Sequence, residues 1–234
     1  MKNLILLEHF TAQSVINHNQ DKDILREALN IANTIIKNFI KNPDIKKLFV
    51  IRNEKLKKII SNKVIFLSTN QFTSYQNILK QFQKNDEIIL VAPEIEKISI
   101  NLYEKLKKRF NILCSTYCTV KTFSSKINSL VALKKNKLPV VDFAQTNSLP
   151  YKKIIVKPIY GAGSHEVFLI ENKRRIIKKK SIIFQRFYDG LKGSFLMLCK
   201  NGLTKVLCCN KQIIRIEKGK IIQIGCIIGG LENH

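Results

Sequence analysis

An α/β fold in two parts is predicted by three features of the chain. Up to about residue 112, apolar strand-like runs alternate with helix-spaced ones, as in a small parallel sheet covered by helices. Beyond that point, strand-like runs follow one another through glycine turns. The third feature lies in this later part, where an apolar strand, Lys153 to Pro158, carries Lys157 just before its proline and abuts the small-residue loop Gly161-Ala-Gly-Ser164. A length of 234 residues suffices for one large or two small domains, and no internal repeat or low-complexity linker is present. The boundary is placed to give parts 1–112 and 113–234.

Each element has its own local reason. Asn3 to Glu8 is a short apolar strand, and Asp21 to Ile40 carries Ile24, Leu25, Ala28, Leu29, Ala32, Ile35, Ile36 and Phe39 at helical spacing. Lys47 to Ile51 and Lys63 to Leu67 read as strands, and Phe72 to Phe82 as a helix. Glu87 to Ala92 is a buried strand closed by Pro93. Glu94 to Arg109 reads as a charged helix with Ile95, Ile98, Leu102 and Leu106 on one face. A helix at Ser124 to Lys135 ends before Leu138-Pro139. Strands are then predicted at Val167 to Glu171, Ile182 to Phe187, Ser194 to Lys200, Lys205 to Arg215 and Lys220 to Ile228.

Bulk properties narrow the classes. No apolar run approaches the roughly 20 residues that span a bilayer, and Met1 to Glu8 is too short and too soon acidic for a signal peptide. A soluble cytoplasmic protein that does not associate with membrane is expected. The six cysteines form no C-x-x-C pair, and four lie in strand-like segments where thiols pack as small hydrophobes, which disfavours metal or disulfide roles. The formal charge of +24 suits a nucleic-acid binder, but its distribution does not. Only seven of the 41 basic residues are arginine, and the lysines are scattered along the chain. The densest run, Lys173 to Lys180, lacks the interleaved aromatics of a stacking platform and reads as a solvated face. Nucleic acid is therefore disfavoured as a partner, while a positive surface steers small anions inward.

The lysine strand and glycine loop carry the chemistry. Lys157 would neutralise phosphate charge from a buried strand. Gly161, Ala162, Gly163 and Ser164 let backbone N–H groups approach phosphate oxygens with no large side chain in the way. The order is the reverse of a Walker A loop, and the strand-like Val167 to Ile170 follows where a dinucleotide fingerprint would start a helix. A plain hairpin with a proline-flanked lysine explains the same residues.

The motif resembles the V-V-K-P-x-x-G-A-G-S lid hairpin of the ATP-grasp superfamily. Further stretches resemble, in order, its tyramine-glutamate ligase subgroup of methanofuran biosynthesis. Glu87 to Glu94 is similar to the strand and A-P-E turn that closes the pre-ATP-grasp domain. Ser124 to Leu130 with Leu138-Pro139 is similar to its D-K helix and G-V-P turn. Ile182 to Gly190 resembles the I-V-Q-E-F-I-x-G hinge, Cys209 to Ile213 the V-N-R-Q-L strand, and Gly225 to Gly230 the L-G-G segment. Leu6 to Thr11 is a weaker echo of its F-E-Y-x-T opening.

The resemblance implies a pre-ATP-grasp parallel α/β lobe over 1–112. It implies an ATP-grasp α+β domain over 113–234, holding the lid hairpin and part of the larger subdomain without its last strands. It also implies ATP as cofactor with Mg2+, small carboxylate and amine substrates, and amide formation through an acyl phosphate. Lys157 and Lys126 would contact phosphates, although an exposed lysine at a helix start explains Lys126 equally. The backbone of Gln185, Arg186 and Phe187 would hold the adenine edge. Asn210 and Gln212 would reach phosphate or substrate, although two polar residues on a solvated strand have the same spacing. Ser125 and Arg186 depart from the aspartate and glutamate of the pattern, and no acidic ribose contact follows Gly190. The C-terminal metal carboxylates have no counterpart, since Glu232 and Asn233 follow no apolar strand. The chain thus reads as a fragment of such a ligase, as half of a split one whose metal site a downstream subunit completes, or as an inactive nucleotide-binding subunit or decayed copy. A lysine-rich RNA-associated protein stands behind these.

Overall fold

The computed structural model describes residues 3–16, 22–171 and 181–231. The basic run 173–180 and the pair Glu232 and Asn233 lie outside the described residues. Two compact units divide after Lys121, within the short helix α4 (Tyr117–Phe123).

The first unit is a five-stranded parallel sheet of β1 (Leu4–Glu8), β2 (Leu48–Asn53), β3 (Val64–Thr69), β4 (Glu87–Val91) and β5 (Asn111–Ile112), in the order β3-β2-β1-β4-β5. Alternation along β1 sends Leu6 to one face and Ile5 and Leu7 to the other. On the first face Leu6, Leu48 and Val50 pack with Ala32 and Ile36 of α1 (Lys22–Lys41), whose buried positions recur every four residues. The opposite face joins Ile5, Leu7, Ile51 and Ile88 to Ile78 and Leu79 of α2 (Tyr75–Leu79) and Leu106 of α3 (Ile98–Leu106). Beside Glu8 at the end of β1, the guanidinium of Arg52 is fully buried and donates to the Lys57 carbonyl at 2.7 Å.

Two helices are shorter than their apolar spacing predicts. The Asn70 side chain accepts from the N–H groups of Phe72 and Thr73, and Ser74 caps Asn77, so α2 starts only at Tyr75. Before α3, Glu96 and Lys97 adopt left-handed φ values of 50° and 65°, which break the predicted 94–109 helix into a single 3-10 turn and α3.

The second unit begins with α5 (Lys126–Lys135), capped by Ser125, whose hydroxyl accepts from Asn128 N–H. Its sheet contains β6 (Phe143–Ala144), β7 (Lys153–Pro158), β8 (Phe168–Glu171), β9 (Ile182–Arg186), β10 (Gly193–Lys200), β11 (Leu203–Glu217) and β12 (Lys220–Ile227). The order is β10-β11-β12-β8-β7-β9-β6, antiparallel throughout. Ile154, Val156, Ile170, Ile182 and Phe184 form its core with Leu149. The sheet is thus two blocks, joined where Leu169 N–H donates to Gly219 and Ile221 N–H to Val167.

The cysteines correct one expectation. Cys199 and Cys226 are exposed and Cys208 and Cys209 half-buried, so none of these four is a core residue. Strand periodicity predicts an alternating face but not whether another layer covers it, and among the described residues no layer covers β10–β12 here.

Gly219 has φ 82°, and a Cβ there would lie 2.9 Å from the Leu169 carbonyl. Gly219→Ala should destabilise the second unit by about 1–3 kcal/mol. Urea unfolding should show a lower midpoint with unchanged slope; an unchanged midpoint would contradict the role given to this corner.

Candidate nucleotide site

Strand β7 runs between β8 and β9 and shows them two different faces. Ile154 and Val156 enter the core, whereas Ile155 and Lys157 point to the opposite side together with Ile183 and Gln185 of β9. In register, Lys157 faces Ile183, and Ile155 faces Gln185. Lys157 and Gln185 therefore share one face, and both Ile183 and the Gln185 side chain are buried there. The salt bridge from Lys153 to Glu171, 3.3 Å long, ties β7 to β8 at the far end.

Past Pro158 the chain turns toward the start of α5. Lys126 N–H donates to the Ile159 carbonyl at 3.0 Å, and Lys126 Nζ donates to the Gly161 carbonyl at 2.8 Å. Two lysines thus converge on one loop. Burial, and after it the like charge of Lys126, together lower the Lys157 amine to about 8. Such a pair is poised for an anion, since a phosphate would offset both desolvation and mutual repulsion.

The loop meets a backbone requirement. Gly161 and Gly163 have φ 137° and 64°, and an added Cβ would touch nothing within 4 Å at either. Glycine is therefore favoured here by torsion and not by crowding. Ser164 and Glu166 are also left-handed, and Ala162 accepts from His165 N–H. Lys157, Lys126, Gly161, Ala162, Gly163 and Ser164 lie in one neighbourhood.

The Gln185 to Phe187 segment differs in what its backbone has left to offer. Arg186 N–H donates to the Asp142 carbonyl at 3.0 Å, and Phe187 N–H donates to the Lys153 carbonyl at 3.2 Å. Both donors are satisfied within the protein. The Arg186 guanidinium lies 4.6 Å from the ring centres of both Tyr151 and Tyr188. The Tyr151 hydroxyl donates to Asp142, an interaction that raises its pKa. Sequence reasoning missed Asp142, Tyr151 and Tyr188; the tyrosines flanking a lone hinge arginine were the available signal.

Asn210 and Gln212 share a face of β11, three strands away from β7, about 14 Å in a flat sheet. The Asn210 side-chain oxygen accepts from the Cys208 thiol at 3.1 Å and from Gly229 N–H at 3.3 Å. Gln212 N–H donates to the Lys192 carbonyl at 2.7 Å. Asn210 thus holds the turn after β12, a local role that its spacing did not reveal.

Among the described residues the carboxylates of the second unit do not gather at the two lysines. No cluster of three His, Cys, Asp or Glu side chains occurs among the described residues. In the second unit Asp142 accepts from Tyr151, and Glu171, Asp189 and Glu217 are paired with Lys153, Lys192 and Arg215. The charged group that acts on Lys157 is Lys126, a like cation, which favours an anion at this point. Among the described residues no helix is long and apolar enough to cross a membrane.

Lys126→Met should raise the Lys157 titration midpoint from about 8 while burial keeps it below 10.5, as read by NMR of labelled lysine amines. A midpoint unmoved by the substitution would show that the two amines do not interact.

Comparison with known proteins places this geometry in a family context. Residues 123–233 match the family model described as the ATP-grasp domain. Among solved structures, the chain resembles a protein from Archaeoglobus fulgidus described as of the ATP-grasp superfamily. That match has 18% identity and a TM-score of 0.73, over 99% of this chain and 66% of the other. It also resembles an L-amino acid ligase from Bacillus licheniformis, at 16% identity and TM-score 0.54, over 94% of this chain and 52% of that one. A third likeness is to N5-carboxyaminoimidazole synthase from Aspergillus clavatus, in complex with ADP and 5-aminoimidazole ribonucleotide. Here identity is 12% and the TM-score 0.54, over 94% of this chain and 55% of the other. The chain spans about two thirds of the length of the first and about half of the others. At these identities the likeness is one of fold. The comparison with curated proteins finds none similar in sequence. The parallel sheet followed by an antiparallel one matches the fold of these neighbours, and the stretch 123–233 is the part of the chain that is similar to the ATP-grasp domain.

Proposed function

We propose that the second unit binds ATP as the nucleotide module of a cytoplasmic carboxylate-amine ligase. The observation that carries this reading is the convergence of Lys126 and Lys157 on the Gly161 to Ser164 loop, within a stretch that matches the ATP-grasp domain. The two ammonium groups neutralise phosphate oxygens, and the loop N–H groups approach the same oxygens. Carbonyl oxygens of Gln185, Arg186 and Phe187 accept from the adenine amino group. Gln212 reaches toward the phosphates or the acceptor substrate from β11, and Asn210, whose side-chain oxygen holds the turn after β12, does so only through its amide nitrogen. The neighbour solved with ADP, and the neighbour that is an amino acid ligase, support the nucleotide and the reaction class.

In that class the γ-phosphoryl group passes to a carboxylate oxygen and ADP leaves. An amine nitrogen then attacks the acyl carbon, inorganic phosphate departs, and the nitrogen loses a proton. This chain's residues position ATP and shield the acyl phosphate from water. Among the described residues no carboxylate cluster is present, and we propose that a second polypeptide, such as a downstream gene product, supplies the metal carboxylates. The resemblance to the tyramine-glutamate ligase subgroup makes methanofuran-type cofactor biosynthesis the pathway we propose. The scattered carboxylates favour one other reading, an inactive ATP-binding subunit or a decayed copy.

Lys157→Met should weaken binding of a non-hydrolysable ATP analogue at least tenfold by calorimetry, the loss of one charge-assisted contact of about 1.5–3 kcal/mol. Unchanged affinity in the folded variant would overturn the site.

Nucleotide affinity should fall as pH rises through about 8, because the free amine loses its proton there and phosphate binding restores it. Calorimetry above pH 8 in buffers of different ionisation enthalpy should register proton uptake that Lys157→Met abolishes; no uptake would remove Lys157 from the phosphates.

ADP release from the purified chain with acidic amino acids and primary amines should be minimal alone and appear when the downstream product is added. Robust turnover by the chain alone would show that the carboxylates were misassigned. Absence of turnover in both would support the inactive reading.

A further inference from the structure

The β10–β12 block presents an apolar surface that, among the described residues, only Leu231 of the following turn touches, at its Gly193 end. Pairing of Phe195 with Cys209, Met197 with Val206 and Ile213 with Gly225 puts Phe195, Met197, Val206, Ile213 and Ile227 on one face. Their exposures are 68%, 52%, 50%, 40% and 48%. Asn210 and Gln212 belong to the other face. One exposed aliphatic residue needs no explanation, but five adjoining ones on a flat sheet do. In addition, β10 is an edge of the sheet, eight residues long with one charged residue and no proline, which leaves backbone N–H and C=O groups open to pairing.

Charge identifies the occupant. Lys200, Lys205, Lys211, Lys218 and Lys220 belong to these strands and their turns and make no ion pair with a described residue. The acidic residues of the same region, Asp189 and Glu217, are already paired with Lys192 and Arg215 at 2.8 Å. A second copy of this chain would bring the same uncompensated lysines against them. A lipid surface would match the charge but offers no backbone groups to an open strand edge.

We infer that the face bearing Phe195, Met197, Val206, Ile213 and Ile227 is an interface for an acidic polypeptide. That partner lays apolar side chains on the sheet and pairs its carboxylates with the flanking lysines. The inference rests on the proposed completion of this domain by a second polypeptide, and names the surface and the chemistry of that partner.

The test uses two fluorescent amphipathic peptides with the same leucine face, one with glutamate and one with lysine on the polar face. Anisotropy with the full chain should show saturable binding of the glutamate peptide at least tenfold tighter than the lysine peptide. Amide exchange within 193–200 should slow on binding, and Phe195→Glu should weaken it at least tenfold. Equal affinity for the two peptides, or no protection of 193–200, would overturn the proposal. So would stronger retention on anionic phosphatidylserine vesicles than on the peptide, or a dimer in sedimentation that Phe195→Glu dissociates. Affinity for the ATP analogue is measured on the same Phe195→Glu sample. Absence of peptide binding with analogue affinity intact overturns the surface alone, while absence of analogue binding by the unaltered chain overturns the nucleotide reading.

Discussion

Everything in the second unit depends on β7 having two faces of opposite character. Ile154 and Val156 anchor the strand in a dry core, and that anchorage holds Lys157 half-buried on the reverse side. A lysine on a surface loop would keep its full hydration and approach a phosphate with little gain. Held by a strand whose alternate residues cannot leave the core, the amine instead has part of its water replaced by protein. Pro158 ends the strand immediately afterwards and frees the chain to make the glycine loop. The core and the candidate site are two sides of six residues.

What was legible in the sequence follows the range of the interactions. The β7–β8 hairpin was readable because strand, glycine turn and strand are neighbours along the chain, and pairing of Ile154 with Ile170 follows from that proximity. The start of α5 was approximately readable from Ser124 and Ser125, because capping acts over three residues. The short strands β5 and β6 carry no periodicity in two residues each, and exist because longer strands beside them need partners. The bond from Lys126 to Gly161 crosses 35 positions of sequence, and only a family resemblance pointed to that lysine. The surroundings of Arg186 were opaque for the same reason, since Asp142 and Tyr151 reach it through strand pairing. The cysteines were misread because burial depends on a covering layer that no local pattern encodes.

The excess of positive charge acquires a structural meaning beside the distribution of carboxylates. Four acidic side chains of the second unit are engaged by a lysine, an arginine or a tyrosine. Lys126, bonded to the Gly161 carbonyl, and Lys157 carry like charges that act on each other beside the glycine loop. Like charges are held close there because the fold over-determines both positions, one by a helix cap and one by a strand register. The strain of that proximity is small when both amines are solvated and larger when they are not, so the site favours occupation by an anion.

The aromatic pair around Arg186 has an optical consequence. The chain contains no tryptophan, so its intrinsic ultraviolet emission comes from six tyrosines, and three of these, Tyr151, Tyr160 and Tyr188, adjoin the hinge arginine or the glycine loop. A guanidinium between two phenol rings fixes their distance and polarity. Any molecule that moves Arg186 out of that sandwich must change the brightness of those rings, which makes the unlabelled protein its own spectroscopic reporter.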